Sequence, residues 1–299
     1  ARQENPIITL GRLLQIDPQA KIIMTSTLTF SNVRTSMTGF ENGAAEFIQV
    51  PAGHTRKSDN GAFRIELLRL IAGLAAARRS EQPREAVGKP VVRSQAPRES
   101  ITLRAVSPHR PGVLAIGSST GGPEALHVVI SQLPDNFPLP IFITQHMPKL
   151  FTAVLASTMS KRTGKIAVEA THGMPVESGK IYIAPGGYHM TIAGIPERSI
   201  IVLDQRPPVN SCRPSVDPML ESIVKIYKEK TLAVILTGMG VDGKTGAAMV
   251  VKSGGSVIAQ DLDTSIVWGM PGAVAEAGLC CQVLPVDKIA AAIRHIVKV

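Results

Sequence analysis

The chain has 299 residues, 44% of them hydrophobic and 18% charged, a balance that suits a folded protein and excludes a disordered one. Its formal charge is +9, but aromatic residues make up only 4%, too few for a base-stacking platform, so no nucleic-acid partner is expected. No run of 18 apolar residues exists, which argues against membrane insertion. The three cysteines (Cys212, Cys280 and the adjacent Cys281) give no disulfide framework, no secretory signal is visible, and a reduced, cytoplasmic setting fits best.

From the N-terminus, residues 1–77 read as an α/β segment. Lys21-Ile-Ile-Met-Thr25 and Glu46-Phe-Ile-Gln-Val50 have strand composition, and Phe63 to Ala77 has amphipathic helical spacing. Two strands are too few for a stable open sheet with helices on both faces. This segment is therefore expected to be loosely packed, and deleting residues 1–105 to change turnover by no more than about threefold. Residues 1–110 hold 16 basic and 9 acidic side chains, against 16 and 14 in residues 111–299. The excess gathers between Arg78 and Arg110 among Pro and Ser, so 78–110 reads as a solvated basic linker.

Residues 111–299 alternate β-branched runs with amphipathic segments, the pattern of an α/β domain. Strands are expected at Val113–Gly117, Pro140–Thr144, Lys165–Glu169, Lys180–Ala184, His189–Ile192, Ile200–Leu203, Leu232–Leu236 and Ser256–Ala259. Helices are expected at Pro123–Ile130, Leu150–Met159, Val216–Lys228, Lys244–Lys252 and Asp287–Val297. Pro185-Gly186-Gly187 suggests that 180–184 and 189–192 form an antiparallel hairpin inserted in a mostly parallel, doubly wound sheet.

In such a sheet the residues just after the strands line the ligand site. After the first strand stands Gly117-Ser118-Ser119-Thr120-Gly121-Gly122, which contains G-x-S-x-G with Ser119 at its centre, between strand and helix, as a nucleophile elbow requires. A helix cap or a phosphate-binding loop remains open for these residues, although the order is not G-x-G-x-x-G and Pro123 stands where a Walker loop needs lysine. His146 follows the second strand directly and is the first choice as base, with His172 and His189 as rivals. Asp242, after the most apolar strand, could orient His146 through Nδ1, with Asp261 as the alternative acid and helix capping as its other reading. No C-x-x-C, H-E-x-x-H or tight carboxylate cluster points to a metal.

Taken together, Ala115-Ile-Gly-Ser-Ser-Thr-Gly-Gly122, Thr144-Gln-His-Met-Pro148, Tyr182-Ile-Ala-Pro-Gly186, Pro207-Pro-Val-Asn210 with Arg213-Pro-Ser-Val-Asp217, Ile235-Leu-Thr-Gly-Met-Gly240 with Asp242-Gly243, and Gly269-Met-Pro271 resemble the CheB family of chemotaxis protein-glutamate methylesterases. The match spans 111–299 in order and at family spacing. The resemblance implies a serine hydrolase that demethylates receptor glutamate esters and deamidates receptor glutamines. It implies Ser119, His146 and Asp242 as the triad, Met239 as a backbone oxyanion donor and Thr120 as an active-site neighbour, with no cofactor. The implied partners are the cytoplasmic domains of methyl-accepting chemoreceptors and, further, a chemotaxis histidine kinase. Val241 stands where the family usually has Asn, and Gly272 where Arg is common; neither change removes a triad member.

Residues 11–77 resemble the back half of a receiver domain, with Lys21–Thr27 as its fourth strand, Ser26 as the switch hydroxyl and Gly43–Ile48 leading to the fifth. The usual Lys-Pro pair appears as Val50-Pro51, and the phospho-accepting Asp would precede the first residue of this chain.

Overall fold

The computed structural model describes residues 5–27, 29–50, 57–81 and 101–299. Pro51, His54 and residues 82–100 of the expected linker lie outside them. The N-terminal segment runs α1 (Pro6–Ile16), β1 (Ile23–Ser26), α2 (Phe30–Glu41), β2 (Glu46–Gln49) and α3 (Lys57–Glu81). Asn5 and Thr29 cap α1 and α2, their side-chain oxygens accepting from Ile7 N–H and Asn32 N–H. β1 and β2 pair in parallel, Ile23 opposite Glu46.

This segment does not stand apart as loosely packed chain. Val33, Met37, Phe40 and Phe47 are buried in one continuous core with residues of the C-terminal domain, and the Phe47 and Phe151 rings lie 4.5 Å apart. Arg162 reaches Glu124 at 3.1 Å and Glu41 at 3.7 Å across the same contact. The two strands thus gain from a neighbouring domain the apolar cover that a short sheet cannot make for itself. Some apolar surface stays outside: Ile16 on α1, and Ile65 and Leu68 on α3, are exposed.

The C-terminal domain continues with β3 (Val113–Ser118), α4 (Gly122–Ser131), β4 (Ile141–Gln145), α5 (Phe151–Thr163), β5 (Ala167–Glu169), β6 (Ile181–Ile183), β7 (His189–Ile195), β8 (Arg198–Asp204) and α6 (Val216–Tyr227). It closes with β9 (Thr231–Ile235), α7 (Lys244–Lys252), β10 (Ser256–Gln260), α8 (Met270–Glu276), β11 (Gln282–Leu284) and α9 (Val286–Val297). Seven strands form a parallel sheet in the order β11-β10-β9-β3-β4-β6-β5. Every residue of β3, β4, β9 and β10 is buried, which is why these strands read as unbroken apolar runs rather than alternating ones. Helices α4, α5 and α9 cover one face and α6, α7 and α8 the other, so the sheet is doubly wound.

The antiparallel hairpin exists, but with other strands than the sequence suggested. β7 pairs with β8 from His189–Asp204 to Ile195–Arg198, turning at Pro196-Glu197. β6, expected as its first arm, instead pairs in parallel with β4 and β5. Its Ile-Tyr-Ile side chains are all buried, and only a place inside the main sheet gives them cover on both faces. The linker expectation also changes at its ends. Arg78 belongs to α3 and pairs with Asp17 at 2.7 Å. Residues 101–110 lie along the domain, with Arg104 N–H on Cys280 O, Ser107 N–H on Ser256 Oγ and Arg110 Nε on Val297 O, each at 2.9 Å.

Candidate active site

The sheet reverses its direction of growth at β3, which has β4 on one side and β9 on the other. A crevice opens at such a switch point beyond the carboxyl ends of the strands, and the loops after these three strands carry Ser119, His146 and Asp242. Ser118 lies opposite Gln145 across β3 and β4, so Ser119 and His146 are the next residues on neighbouring strands. His146 N–H donates to Ser118 O at 3.1 Å, and Ser119 N–H donates to Thr237 O at 3.0 Å, which ties the three loops together. Gln145 fixes the turn from behind: it accepts from Ser118 Oγ at 2.6 Å and donates from Nε2 to Ser119 O at 2.9 Å.

Two glycines are needed here for identifiable reasons. Gly121 sits between Ser119 and α4 with φ of 76°, the left-handed conformation that turns the chain from strand into helix. A Cβ on Gly238 would lie 2.8 Å from Ser119 Cβ and 2.5 Å from Met270 Sδ, so only a glycine lets the 237–243 loop close on the serine. The residue after it, Met239, presents a backbone N–H that makes no hydrogen bond to protein among the described residues. Thr120 is buried beside Ser119, its carbonyl accepting from Thr237 Oγ1 at 2.9 Å.

His146 Nε2 lies 2.7 Å from Asp242 Oδ2. The sequence reading placed this contact on Nδ1; the ring instead turns its Nε2 toward the carboxylate. A carboxylate only accepts, so Nε2 carries the proton in the neutral ring and Nδ1 is left as the basic nitrogen. Nδ1 has Cys212 Sγ at 3.4 Å. Among the described residues, Ser119 Oγ makes no hydrogen bond. Hydrogen bonds between a nucleophile and its base are often long without substrate.

Asp242 is 1% exposed and is surrounded by donors. Its Oδ1 accepts from Ser215 Oγ at 2.7 Å, Asn210 Nδ2 at 2.9 Å, Gly243 N–H at 3.0 Å and Asp217 N–H at 3.3 Å, and its Oδ2 from Val216 N–H at 2.7 Å as well as from His146. Two of these donors belong to the first turn of α6, whose positive end adds to them. Burial alone would raise the Asp242 carboxyl, but the His146 hydrogen bond and charge, with Val216 N–H and Ser215, hold it well below the usual range. Burial alone would lower His146, but the Asp242 hydrogen bond, with a further contribution from Cys212, raises it from 6.5 to about 9. Asp217, which shares Asn210 with Asp242, is pushed up by its own burial.

The rivals lie elsewhere. His172 Nδ1 meets the backbone of Leu203 at the hairpin, and His189 is fully buried with Nε2 on Pro207 O. Asp261 caps its own turn, accepting from Thr264 N–H at 3.0 Å and Thr264 Oγ1 at 2.6 Å. Val241 is 54% exposed at the rim, and Gly272 packs beneath the Trp268 ring. Among the described residues no group of His, Cys, Asp and Glu could hold a metal ion, and no helix is long and apolar enough to cross a membrane.

The N-terminal segment reaches this site, which sequence reasoning missed. Met239 packs against Gly73 of α3, Arg69 approaches Gly240, and Ala45 and Leu74 share a small apolar cluster with Met239, Ile266 and Val267. Glu46, at the start of β2, accepts from Phe47 N–H at 2.9 Å; burial pushes its carboxyl up from 4.5 to about 7, against the pull of Phe47 N–H and the Thr120 side chain. Asn210, Cys212 and Ser215 were also missed as individual contributors. The tight turn in which Val209 and Cys212 exchange backbone hydrogen bonds, with Asn210 and Ser211 at positive φ, places the first two.

An open parallel sheet with a serine on its central strand–helix turn, and an imidazole–carboxylate pair beside it at the switch point, has the make-up of a serine-type hydrolase. Comparison with known proteins narrows the class: the family model described as CheB methylesterase matches residues 114–293, and this chain belongs to that family. A relative named protein-glutamate methylesterase/protein-glutamine glutaminase 1, from Paramagnetospirillum magneticum, is 43% identical over 298 residues, covering 95% of this chain and 78% of the relative. Another, named protein-glutamate methylesterase/protein-glutamine glutaminase, from Azospirillum brasilense, is 43% identical over 303 residues, covering 96% and 76%. The crystal structure of the Thermotoga maritima CheB methylesterase catalytic domain superposes with a TM-score of 0.61 at 43% identity, covering 63% of this chain and 100% of that domain.

Proposed function

We infer that this chain hydrolyses the γ-methyl ester of protein glutamate side chains, releasing methanol, and the γ-amide of protein glutamines, releasing ammonia. Ester and primary amide share a carbonyl that one nucleophile attacks, and they differ only in the leaving group. The observation that carries the reading to particular residues is the 2.7 Å contact of His146 with the buried Asp242, on the strand next to Ser119.

In this mechanism Ser119 Oγ attacks the side-chain carbonyl while His146 Nδ1 takes its proton. Asp242 holds Nε2–H, orients the ring and stabilises the imidazolium as it forms. The Met239 N–H, and the positive end of α4 behind Thr120, face the oxygen that becomes negative. The imidazolium gives its proton to methanol or ammonia as it leaves. Water then enters, His146 takes a proton from it, and the acyl-serine is released as the glutamate carboxylate.

The substrates are the cytoplasmic domains of chemoreceptors in the cytoplasm, with a chemotaxis histidine kinase as a further partner. Residues 1–77 act as a receiver-like regulatory segment and 111–299 as the catalytic domain. The deciding experiment is methanol release from a methylated receptor domain. The wild-type chain should release it and Ser119→Ala should not; equal rates would refute the assignment.

A further inference from the structure

The thiol of Cys212 has no part in the reaction above, yet it stands on the same imidazole nitrogen. Its Sγ is 3.4 Å from His146 Nδ1, and the other ring nitrogen is tied to Asp242 at 2.7 Å. A thiol with an imidazole behind it, and a buried carboxylate behind the imidazole, has the arrangement that activates cysteine as a nucleophile. The turn at 209–212 delivers it there: Cys212 N–H and Val209 N–H bond each other's carbonyls at 2.9 and 3.1 Å.

The other two cysteines supply an internal contrast. Cys280 and Cys281 are buried, and burial pushes the Cys280 thiol up to about 12 and raises that of Cys281. Cys281 Sγ donates to Val257 O at 3.1 Å. Of the three, Cys212 alone is both partly exposed and in contact with a base.

We propose that Cys212 is a site of reversible oxidation by peroxides, and that its sulfenic acid switches the esterase off by occupying His146 Nδ1. The second half rests on the reading of His146 as the base for Ser119. His146 takes the thiol proton, and the thiolate sulfur attacks one oxygen of hydrogen peroxide. An S–O bond forms, the O–O bond breaks, and the departing hydroxide takes the imidazolium proton and leaves as water. Sulfur gives up two electrons and the peroxide accepts them. The thiol is a weak donor to Nδ1, but the O–H of the sulfenic acid is a strong one, so the nitrogen that yields to Ser119 in the reduced chain no longer does. A small thiol then condenses with the sulfenic acid, forming a mixed disulfide and water. A second thiol displaces the first and restores Cys212.

The test treats the wild-type chain, Cys212→Ser and Ser119→Ala with hydrogen peroxide. Dimedone, which captures sulfenic acids, is mapped by peptide mass spectrometry, and esterase activity is followed in parallel. A dimedone adduct is expected on the Cys212 peptide and not on the Cys280–Cys281 peptide. Wild-type activity should fall about tenfold or more and return with dithiothreitol, while the treated-to-untreated ratio of Cys212→Ser stays within about twofold, whatever its starting rate. Ser119→Ala should still take the adduct. That result separates failure of the triad reading, which removes only the activity arm, from failure of this proposal, which removes the adduct. The proposal is overturned by an adduct confined to Cys280 or Cys281, by no adduct at all, or by a loss that dithiothreitol does not reverse and that maps to sulfoxide at Met239.

Discussion

Asn210 Nδ2 donates to Asp242 Oδ1 at 2.9 Å, and the same nitrogen reaches Asp217 Oδ2 at 2.8 Å. One neutral amide thus stands between two buried carboxylates that repel each other, and it does so only because the 209–212 turn holds Asn210 at a φ of 53°. Asn210→Ala removes a donor from both acids and leaves lone pairs without partners, which costs about 1–3 kcal/mol. Denaturant unfolding should show a loss in that range, and ester hydrolysis should slow because Asp242 is less firmly held. Unchanged stability with full activity would show that the amide is dispensable.

Ser119 and His146 act on one proton, so their removal should not be additive. Ser119→Ala and His146→Ala are each expected to abolish nearly all methanol release, and the double variant should be no worse than either alone. Losses that multiply in the double variant would mean that the two residues act separately.

The pH profile carries the electrostatics of the pair. The base works only when neutral, and Asp242 raises His146 from 6.5 to about 9. The kcat/KM of the wild-type chain should therefore climb with pH through the upper value rather than through the lower one. In Asp242→Asn the carboxylate that holds the imidazolium is gone, so the limb should move to lower pH. The plateau should fall by about 10³–10⁴-fold, since an amide can favour the wrong tautomer. Asp261→Asn, which alters only a local turn, serves as control. A loss there and none at Asp242 would reassign the acid.

Much of this arrangement was legible because parallel strands buried on both faces leave unbroken apolar runs, and the residues following them mark the sheet's carboxyl edge. Ser119, His146 and Asp242 were singled out that way. Their relation to Asn210, Cys212 and Ser215 was not, because a turn some thirty residues before Asp242 in the sequence brings these side chains back to it, and no local pattern records a return of that kind. The choice of Nε2 over Nδ1 also belongs to tertiary structure, since a histidine's position in the chain does not set the rotation of its ring. Pro185-Gly186-Gly187 has turn chemistry but leads from the main sheet into β7; the hairpin reverses at Pro196-Glu197, which the sequence reading did not weigh. α8 and β11, with seven and three residues, are too short for periodicity to show.

The contacts of Glu46, Arg69 and Gly73 argue for an influence of the N-terminal segment on turnover, against the expectation from sequence. Glu46 brings a carboxyl to Thr120, beside the serine, and α3 lies on the loop that offers Met239 N–H. Both lie beside groups that a substrate carbonyl at Ser119 would meet. Glu46→Ala should therefore raise kcat/KM for the ester by about three- to tenfold, a barrier change of about 0.7–1.4 kcal/mol. Docking of the segment should also depend on pH, and the sign follows from the carboxyl being raised from 4.5 to about 7. The docked state holds a proton that the undocked state releases, so docking is strongest below 4.5 and weakens as pH rises through about 7. Hydrogen exchange along Lys57–Glu81, corrected for intrinsic rates, should lose protection over that interval in the wild type. It should not do so in Glu46→Gln, which has no proton to lose. A rate unchanged by Glu46→Ala, together with protection that is flat with pH, would mean that this carboxyl neither blocks the site nor holds the segment on it.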